Sequence, residues 1–120
     1  MNDSILTSIK KLLGIAEECE DFDTDIIMHI NSTFLNLYQI GVGSERGFSI
    51  VDKYTAWKDY ISTDNASDYQ AIKTYIYLKV KILFDPPLSS SAVEAINRSI
   101  SELEWRLNIL AESDKTEKEV

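Results

Sequence analysis

Three acidic residues at alternate positions suggest metal-binding chemistry. Asp21, Asp23 and Asp25 have the spacing that opens a calcium-binding EF-hand loop. The rest of such a loop is absent, because Ile26 occupies the place of the turn glycine and Ser32 that of the bidentate glutamate. Acidic residues also suit the positive N-terminal end of a helix. We therefore interpret the three acids as residues that cap a helix.

The other candidates for metal binding or catalysis lack the residues that they would need. His29 is the only histidine, and no cysteine or second histidine lies at ligand spacing from it. Cys19 is the only cysteine and lies among carboxylates, which do not activate a thiol. Gly41-Val42-Gly43 resembles a phosphate loop, but a predicted helix precedes it and no Lys-Ser/Thr pair follows. The sequence therefore predicts no enzyme, no cofactor and no metal site.

Lys79 is a charged residue inside an apolar helix face. On a helical wheel it falls between Ile72, Ile76 and the pair Ile82-Leu83. Its stem could pack on that face while its amine reaches water. Alternatively, the amine forms an ion pair with a carboxylate of a neighbouring helix or subunit, because buried charges need partners. The sequence leaves both interpretations open.

Length and composition indicate one acidic globular domain. The chain has 120 residues, of which 44% are apolar and 27% charged, and its net charge is −8. That charge argues against a free-standing nucleic-acid binder, although DNA could still pass by such a protein. One cysteine excludes an intrachain disulfide, and neither a signal peptide nor a membrane-spanning run is recognisable. We expect a soluble, cytosolic protein.

The apolar periodicity predicts an all-α fold, a small bundle of four main helices plus a short helix. The expected main helices are Ser4–Leu13, Asp23–Ile40, Tyr69–Phe84 and Ala92–Leu110, and the short helix lies within Tyr54–Ile61. Between the second and third main helices we expect a long middle loop or a short β-hairpin around Phe48-Ser49-Ile50. Residues 1–111 should form a single helical domain, followed at 112–120 by a polar, flexible C-terminal tail.

The last two helices have the clearest packing pattern. Asp85-Pro86-Pro87 should stop the third helix, and Ser91-Ala92-Val93-Glu94 has the pattern of a capping box. In the last helix, apolar residues then recur at alternating steps of three and four: Val93, Ile96, Ile100, Leu103, Leu107 and Leu110. The two helices should pack as an antiparallel hairpin. The third helix is apolar around most of its circumference, so we expect part of its surface to face another subunit.

Residue types favoured at interfaces are concentrated in the middle region. Arg46, Phe48, Trp57 and Tyr60 are of this kind, although the aromatic residues would serve equally well in a core. The region lies between helices that, from their patterns, could fold without it, and loops on rigid scaffolds commonly carry recognition. We predict that residues 41–61 form an assembly surface, and we add Lys79 as a further interface candidate.

The order of the segments along the chain resembles that of a known family. The segments are Leu12-Leu13-Gly14, Phe22–Ile27, Ile40–Gly43, Phe48-Ser49-Ile50, Trp57–Tyr60, Ile72–Pro87 and Glu102–Leu107. Together they look like the small head–tail connector proteins, also called adaptor or head-completion proteins, of tailed bacteriophages and prophages of Gram-positive bacteria. The likeness covers Ser4 to about Ile109, and the Asp-Pro-Pro corner is its most characteristic piece.

The resemblance implies a structural virion protein without catalytic residues. Such proteins form a ring beneath the twelve-fold portal, extend the DNA channel and offer a platform for the next protein. The implied partners are further copies of the chain in a dodecamer, the portal protein, and a tail-joining or stopper protein, with DNA only as passing cargo and no membrane. The implied location is the head–tail junction of the virion, and the host cytoplasm during assembly. An alternative of another class is a small helical partner-binding or regulatory module that docks through the heptad helix 92–110.

Overall fold

Five helices account for most of the described chain, which confirms the all-α prediction. The computed structural model describes residues 2–43, 47–61 and 66–119, with side chains at all of these except 66, 67 and 114–119. The helices are α1 (Ile5–Leu13), α2 (Asp23–Gln39), α3 (Trp57–Tyr60), α4 (Ala66–Phe84) and α5 (Ser90–Glu119). Within these ranges no β-strand forms, and an isolated bridge between Ser4 and Ala56 is the one β-type pairing. Residues 47–61 form the predicted long loop, without a hairpin.

The first helix has strong signals at both ends. The Oγ of Ser4 accepts a hydrogen bond from the Thr7 N–H at 3.2 Å, which satisfies one of the free donors of the first turn. At the other end, Gly14 takes a left-handed φ of 81°, a conformation that glycine adopts without a steric penalty. These two residues explain why the predicted limits of α1 are close to the observed ones.

The second helix begins at Asp23, as predicted, but by a different arrangement. Its N-cap is Phe22, whose side chain forms no capping hydrogen bond. The prediction that the acids cap this helix is therefore wrong, whereas the prediction that they favour its positive N-terminal end is confirmed for two of them. Asp23 and Asp25 instead lie inside the first turn, where their negative charge favours the positive end of the helix dipole.

The third main helix, α4, is the centre of the bundle. It packs against α1, α2 and α5. Its buried side chains occupy a wide arc and are Tyr69, Ile72, Tyr75, Ile76 and Val80. Three neighbouring helices cover much of it, but Tyr77, Leu78 and Ile82 are only half-buried. That part of this surface faces another subunit stays a prediction. Leu83, close to the end of α4, remains exposed.

Both α2 and α5 run antiparallel to α4. The rings of Phe22 and Phe84 meet edge to face at 5.5 Å, which places the start of α2 beside the end of α4. After the proline corner, α5 packs back along α4, as the predicted hairpin requires. About two thirds of the way along α5, the Asn108 Nδ2 donates to the carbonyl oxygen of Ile40, the residue that follows α2, at 3.0 Å. Consequently, α2 and α5 point in the same direction, and α5 continues beyond the end of α2.

The last helix is longer than predicted at both ends. It begins at Ser90, and the Ser89 Oγ accepts a hydrogen bond from the Ala92 N–H at 3.4 Å, so the capping box predicted at Ser91 is wrong. It continues to Glu119, past the predicted end at Leu110. The extra residues include glutamate and lysine, which have good helix propensity. The flexibility of residues 112–120, and the division of the chain at residue 111, stay predictions.

The apolar seam of α5 packs mainly inward. Ile100 and Leu107 are buried in the core, while Leu110 lies at the exposed margin. The remaining seam residues are half-buried and are Val93, Ile96 and Leu103. Because most of this seam is occupied by contacts within the protomer, it is not a free docking face, and the alternative of a partner-binding module that uses it is disfavoured.

Candidate assembly surface

The loop 47–61 is attached to α2 by one asparagine. The Nδ2 of Asn31 donates to the carbonyl oxygen of Ile50 at 3.0 Å, and its Oδ1 accepts from the Ile50 N–H at 2.8 Å. Ile50 is a buried core residue. A single side chain thus satisfies both backbone polar groups of a buried residue, as a neighbouring β-strand would.

A second attachment joins the loop to the residues that precede α1. The Ile5 N–H donates to the carbonyl oxygen of Thr55 at 3.0 Å, and the Trp57 N–H donates to that of Asp3, also at 3.0 Å. These backbone bonds form the short antiparallel pairing at the start of the chain. They place α3 against the N-terminal end of α1.

Trp57 anchors the end of the loop in the core. Its side chain is fully buried, and its Nε1 donates to the Ser8 Oγ on α1 at 3.1 Å. Its ring meets that of Tyr69 on α4 edge to face, with centroids 5.7 Å apart. Trp57 therefore links α1, α3 and α4, and in the folded protomer its ring does not reach the surface.

Phe48 and Tyr60 form an aromatic cluster with Phe34 of α2. The three pairs of ring centroids are 4.6 to 5.0 Å apart. The hydroxyl of Tyr60 is buried without a hydrogen-bond partner among the described residues, and burial raises the pKa of this tyrosine. This cluster lies beneath the loop and supports it by packing.

The outward side of the loop has two almost fully exposed apolar residues. Val51 is 80% exposed and Tyr54 is 79% exposed. The Asp52 Oδ1 accepts from the Tyr54 N–H at 2.9 Å, which holds the turn that presents both side chains. The loop therefore combines a firmly anchored inner side with an apolar tip that the described residues leave exposed.

An open depression beside this tip is locally basic. Lys11, Lys53 and Lys73 line it, together with Asp3 and Glu17. Three cations against two anions contrast with the net charge of −8 of the whole chain. The surface next to the exposed tyrosine is thus suited to a partner that presents carboxylates.

The predicted interface residues are found in different environments. Arg46 lies outside the described residues. Phe48 and Tyr60 are together, 4.8 Å apart, and Trp57 is buried nearby. Lys79 lies apart from them, half-buried on α4, and forms no salt bridge in the described parts of the chain. The role of these residues at an interface stays a prediction.

The middle region shares a core with the helices, which argues against the expectation that they could fold without it. Ile50, Trp57 and Ile61 belong to the same buried cluster as the apolar faces of the main helices. Removing the loop would leave a gap in that cluster. The loop is therefore part of the core as well as of the surface.

Two anchoring residues escaped the sequence analysis. Asn31 is one, and Lys10 is the other: its buried Nζ donates to the carbonyl oxygens of Glu17 at 3.1 Å and Cys19 at 2.6 Å. The same Nζ lies 2.9 Å from the Asp23 Oδ1, a charge contact without hydrogen-bond alignment. Lys10 fixes the acidic connector to α1. Like Lys79, Lys10 lies on the apolar face of a predicted helix. The pattern that drew attention to Lys79 could therefore have identified Lys10 as well.

Neither a metal cluster nor a membrane-spanning helix is found among the described residues. No group of three or more histidine, cysteine, aspartate or glutamate side chains among them could hold a metal ion. None of the helices in the described ranges is long and apolar enough to cross a membrane.

Comparison with known families decides what kind of protein this is. A model of the family described as phage connector protein matches residues 5–114, from the first residue of α1 into the last part of α5. The chain belongs to the phage connector protein family. Comparisons with curated proteins and with solved structures give no match. The resemblance to phage connectors identified from the sequence is thus confirmed, and the connector is a bacteriophage structural protein. An origin in phages of Gram-positive bacteria stays a prediction.

The anchored loop is part of this connector fold. Residues 47–61 and the helices that hold them all lie inside the range that the family model matches. The loop is therefore not a peripheral addition to the connector, and its exposed tip is a feature to explain in terms of assembly.

Proposed function

We propose that this connector forms a ring of identical copies beneath the portal, extends the DNA channel and joins the capsid to the tail. The family match over residues 5–114 carries the proposal. We infer a dodecamer in the virion, in register with the portal, and a tail-joining or stopper protein on its far side. The connector would act at the head–tail junction after assembly in the host cytoplasm.

The charge of the chain supports passage of DNA through such a ring. With a net charge of −8 per copy, the ring carries a large negative charge. A basic wall would bind phosphates through counterion release and would hold the DNA. An acidic wall repels it, so DNA is cargo here and not a ligand.

We propose that the tip of the loop 47–61 contacts the portal. Val51 and Tyr54 are the apolar contact residues, and Arg46 and Lys79 remain candidates for polar contacts. Phe48, Trp57 and Tyr60 act from beneath, because they hold the loop in one conformation before it binds. A preformed loop loses less conformational entropy on binding than a mobile one.

Complementation of a phage that lacks this gene tests the function. We expect DNA-filled heads without tails in the absence of the connector, and infectious tailed particles when the wild-type chain is supplied. Normal tailed particles in its absence would refute the connector function.

The loop contact has its own test in the same assay. The double variant Val51→Ser/Tyr54→Ala should remain folded by circular dichroism and fail to complement, and should not be retained by purified portal protein. Leu88→Ala is the matched control, because Leu88 is fully exposed at the corner between α4 and α5. If the double variant complements as well as the control does, the portal contact lies elsewhere.

A further inference from the structure

The open depression beside the loop tip is lined by three lysines without a salt-bridge partner. Lys11 comes from α1, Lys53 from the loop 47–61 and Lys73 from α4. None of the three forms a salt bridge in the described parts of the chain, whereas Lys10 and Lys81 each lie 2.9 Å from an aspartate oxygen. The three cations of the depression are therefore free to pair with a ligand.

Tyrosine rings position two of these amines. The Nζ of Lys53 lies 5.7 Å from the centroid of the Tyr54 ring, and the Nζ of Lys73 lies 5.8 Å from that of Tyr69. The negative face of an aromatic ring attracts such a cation, and the N–H groups that point away from the ring can still donate. Because the rings restrict two long side chains in advance, these lysines lose less conformational entropy when a ligand binds.

The acidic residues nearby do not cancel the charge of the lysines. Asp3 and Glu17 also line the depression, but neither forms a salt bridge with a lysine there. Asp52, which precedes Lys53, directs one carboxylate oxygen to the Tyr54 N–H at 2.9 Å. Three lysines against two acids give the lining a positive excess on a chain whose net charge is −8.

A site that contains both signs of charge favours a polypeptide over a nucleic acid. A DNA duplex presents only phosphates, about one charge per 1.7 Å, and Asp3 and Glu17 would repel them. An acidic peptide segment presents carboxylates to the lysines and backbone N–H groups to the two acids. The depression has a volume of about 990 Å³ and is open to solvent, which suits a segment of several residues better than a single ion.

The depression is continuous with the exposed tip of the loop. Tyr54 is 79% exposed at the tip and also lines the depression. Tyrosine is enriched among interface hot spots, because its ring buries a large apolar area and its hydroxyl forms hydrogen bonds. A partner that covers the tip therefore also comes within reach of the lysines.

We propose that this depression binds an acidic segment of the portal protein, with Lys11, Lys53 and Lys73 paired to its carboxylates and Tyr54 packed against its side. The inference names the chemistry of the portal surface at the loop contact, and so it rests on the proposed function.

NMR titration of the full chain with the peptide hexaglutamate tests the depression without the portal. We expect the peptide to shift the backbone amide signals of the residues that line the depression, Lys11, Lys53, Tyr54 and Lys73. The binding should weaken as salt is added, because ions screen exposed charges. If hexaglutamate leaves these signals in place, the proposal is overturned.

Charge reversal assigns the binding to particular lysines. Lys11→Glu/Lys53→Glu should weaken hexaglutamate binding by about tenfold or more. The matched control is Lys58→Glu/Arg98→Glu, since all four residues are exposed, the net charge changes equally, and neither control residue lines the depression. Circular dichroism should show both variants folded. Equal weakening in the two variants would mean that net charge, and not the depression, attracts the peptide.

Two other anions define the kind of ligand. Inorganic phosphate that shifts the same signals as strongly as hexaglutamate, at equal concentration, would make the depression a general anion site and overturn the proposal. Binding of a short DNA duplex that Lys11→Glu/Lys53→Glu abolishes would assign the depression to nucleic acid, with the same consequence.

Retention by purified portal protein tests the partner. The wild-type chain and the control variant should be retained, and Lys11→Glu/Lys53→Glu should bind at least about tenfold more weakly although Val51 and Tyr54 are intact. If the wild-type chain is not retained, the proposed portal contact fails together with this inference. If the wild-type chain and Lys11→Glu/Lys53→Glu are retained equally, only this inference fails.

Discussion

Asn31 should contribute far more to stability than its half-buried position suggests. Asn31→Ala leaves the N–H and the carbonyl oxygen of Ile50 without partners at a buried position. Such groups cost about 1–3 kcal/mol each, and alanine returns at most about 0.7 kcal/mol through its better helix propensity. Water can reach part of a half-buried site, so the lower part of the range applies. We expect a loss of about 2–3 kcal/mol, or about 6–15 °C in melting temperature.

Urea denaturation followed by circular dichroism measures this loss, and hydrogen exchange of the Ile50 amide locates it. The matched control is Asn36→Ala, on the same helix, because Asn36 is also half-buried and forms no side-chain hydrogen bond among the described residues. Asn36→Ala gains the same helix propensity as Asn31→Ala but breaks no hydrogen bond to the backbone of Ile50. If the free energies of unfolding of the two variants instead differ by less than about 0.5 kcal/mol, which is the scatter typical of surface changes, the hydrogen bonds between Asn31 and Ile50 do not hold the loop.

Three further predictions concern the core and its charges. Ile100→Ala should lower the free energy of unfolding by about 2–5 kcal/mol, as measured by urea denaturation, whereas Ser101→Ala, at the exposed neighbouring position, should lower it hardly at all. Equal losses for the two variants would place the apolar seam of α5 outside the core. Lys10→Met should lower the free energy of unfolding by about 3–5 kcal/mol, because it leaves a carboxylate and two carbonyl oxygens without their cation. A loss no larger than that of Lys11→Met, at an exposed position, would contradict this. Burial, and secondarily the charge of Glu104, raises the pKa of Tyr75 to about 12, so the folded state keeps a proton that the unfolded state releases above pH 10. Stability should therefore fall as the pH rises from 10 to 12, and Tyr75→Phe should lessen that fall in the urea midpoint; an identical fall would exclude Tyr75 as its source.

Local patterns predicted the elements whose ends depend on local chemistry. Ser4 and Gly14 determine the limits of α1 through their own hydrogen bonding and backbone conformation, so the sequence was sufficient there. The proline corner at 85–87 likewise separates α4 from α5. The end of α5 was missed because apolar periodicity stops at Leu110, while helix propensity continues beyond it.

Long-range contacts were beyond such patterns. Hydrogen bonds join Asn31 to Ile50 across nineteen residues, and Trp57 to Ser8 across forty-nine. Nothing near an asparagine in the sequence indicates which distant backbone it will bind. For the same reason, the aromatic residues of the loop could be assigned equally to a core or to an interface. The structure puts Trp57 in the core and gives the exposed tip to Val51 and Tyr54, which the sequence analysis did not single out.

The central position of α4 has a consequence for the order of folding. During synthesis, α1 and α2 emerge before α4, the helix on which both pack, and α2 has only α1 as a helical neighbour until α4 has been made. The hairpin of α4 and α5, in contrast, is a local unit joined by a short corner, and loop closure makes such contacts the fastest to form. We expect the C-terminal hairpin to act as the nucleus on which the earlier helices dock. A chain cut short before α4 would then expose its apolar faces and aggregate, so only complete protomers would be available for assembly.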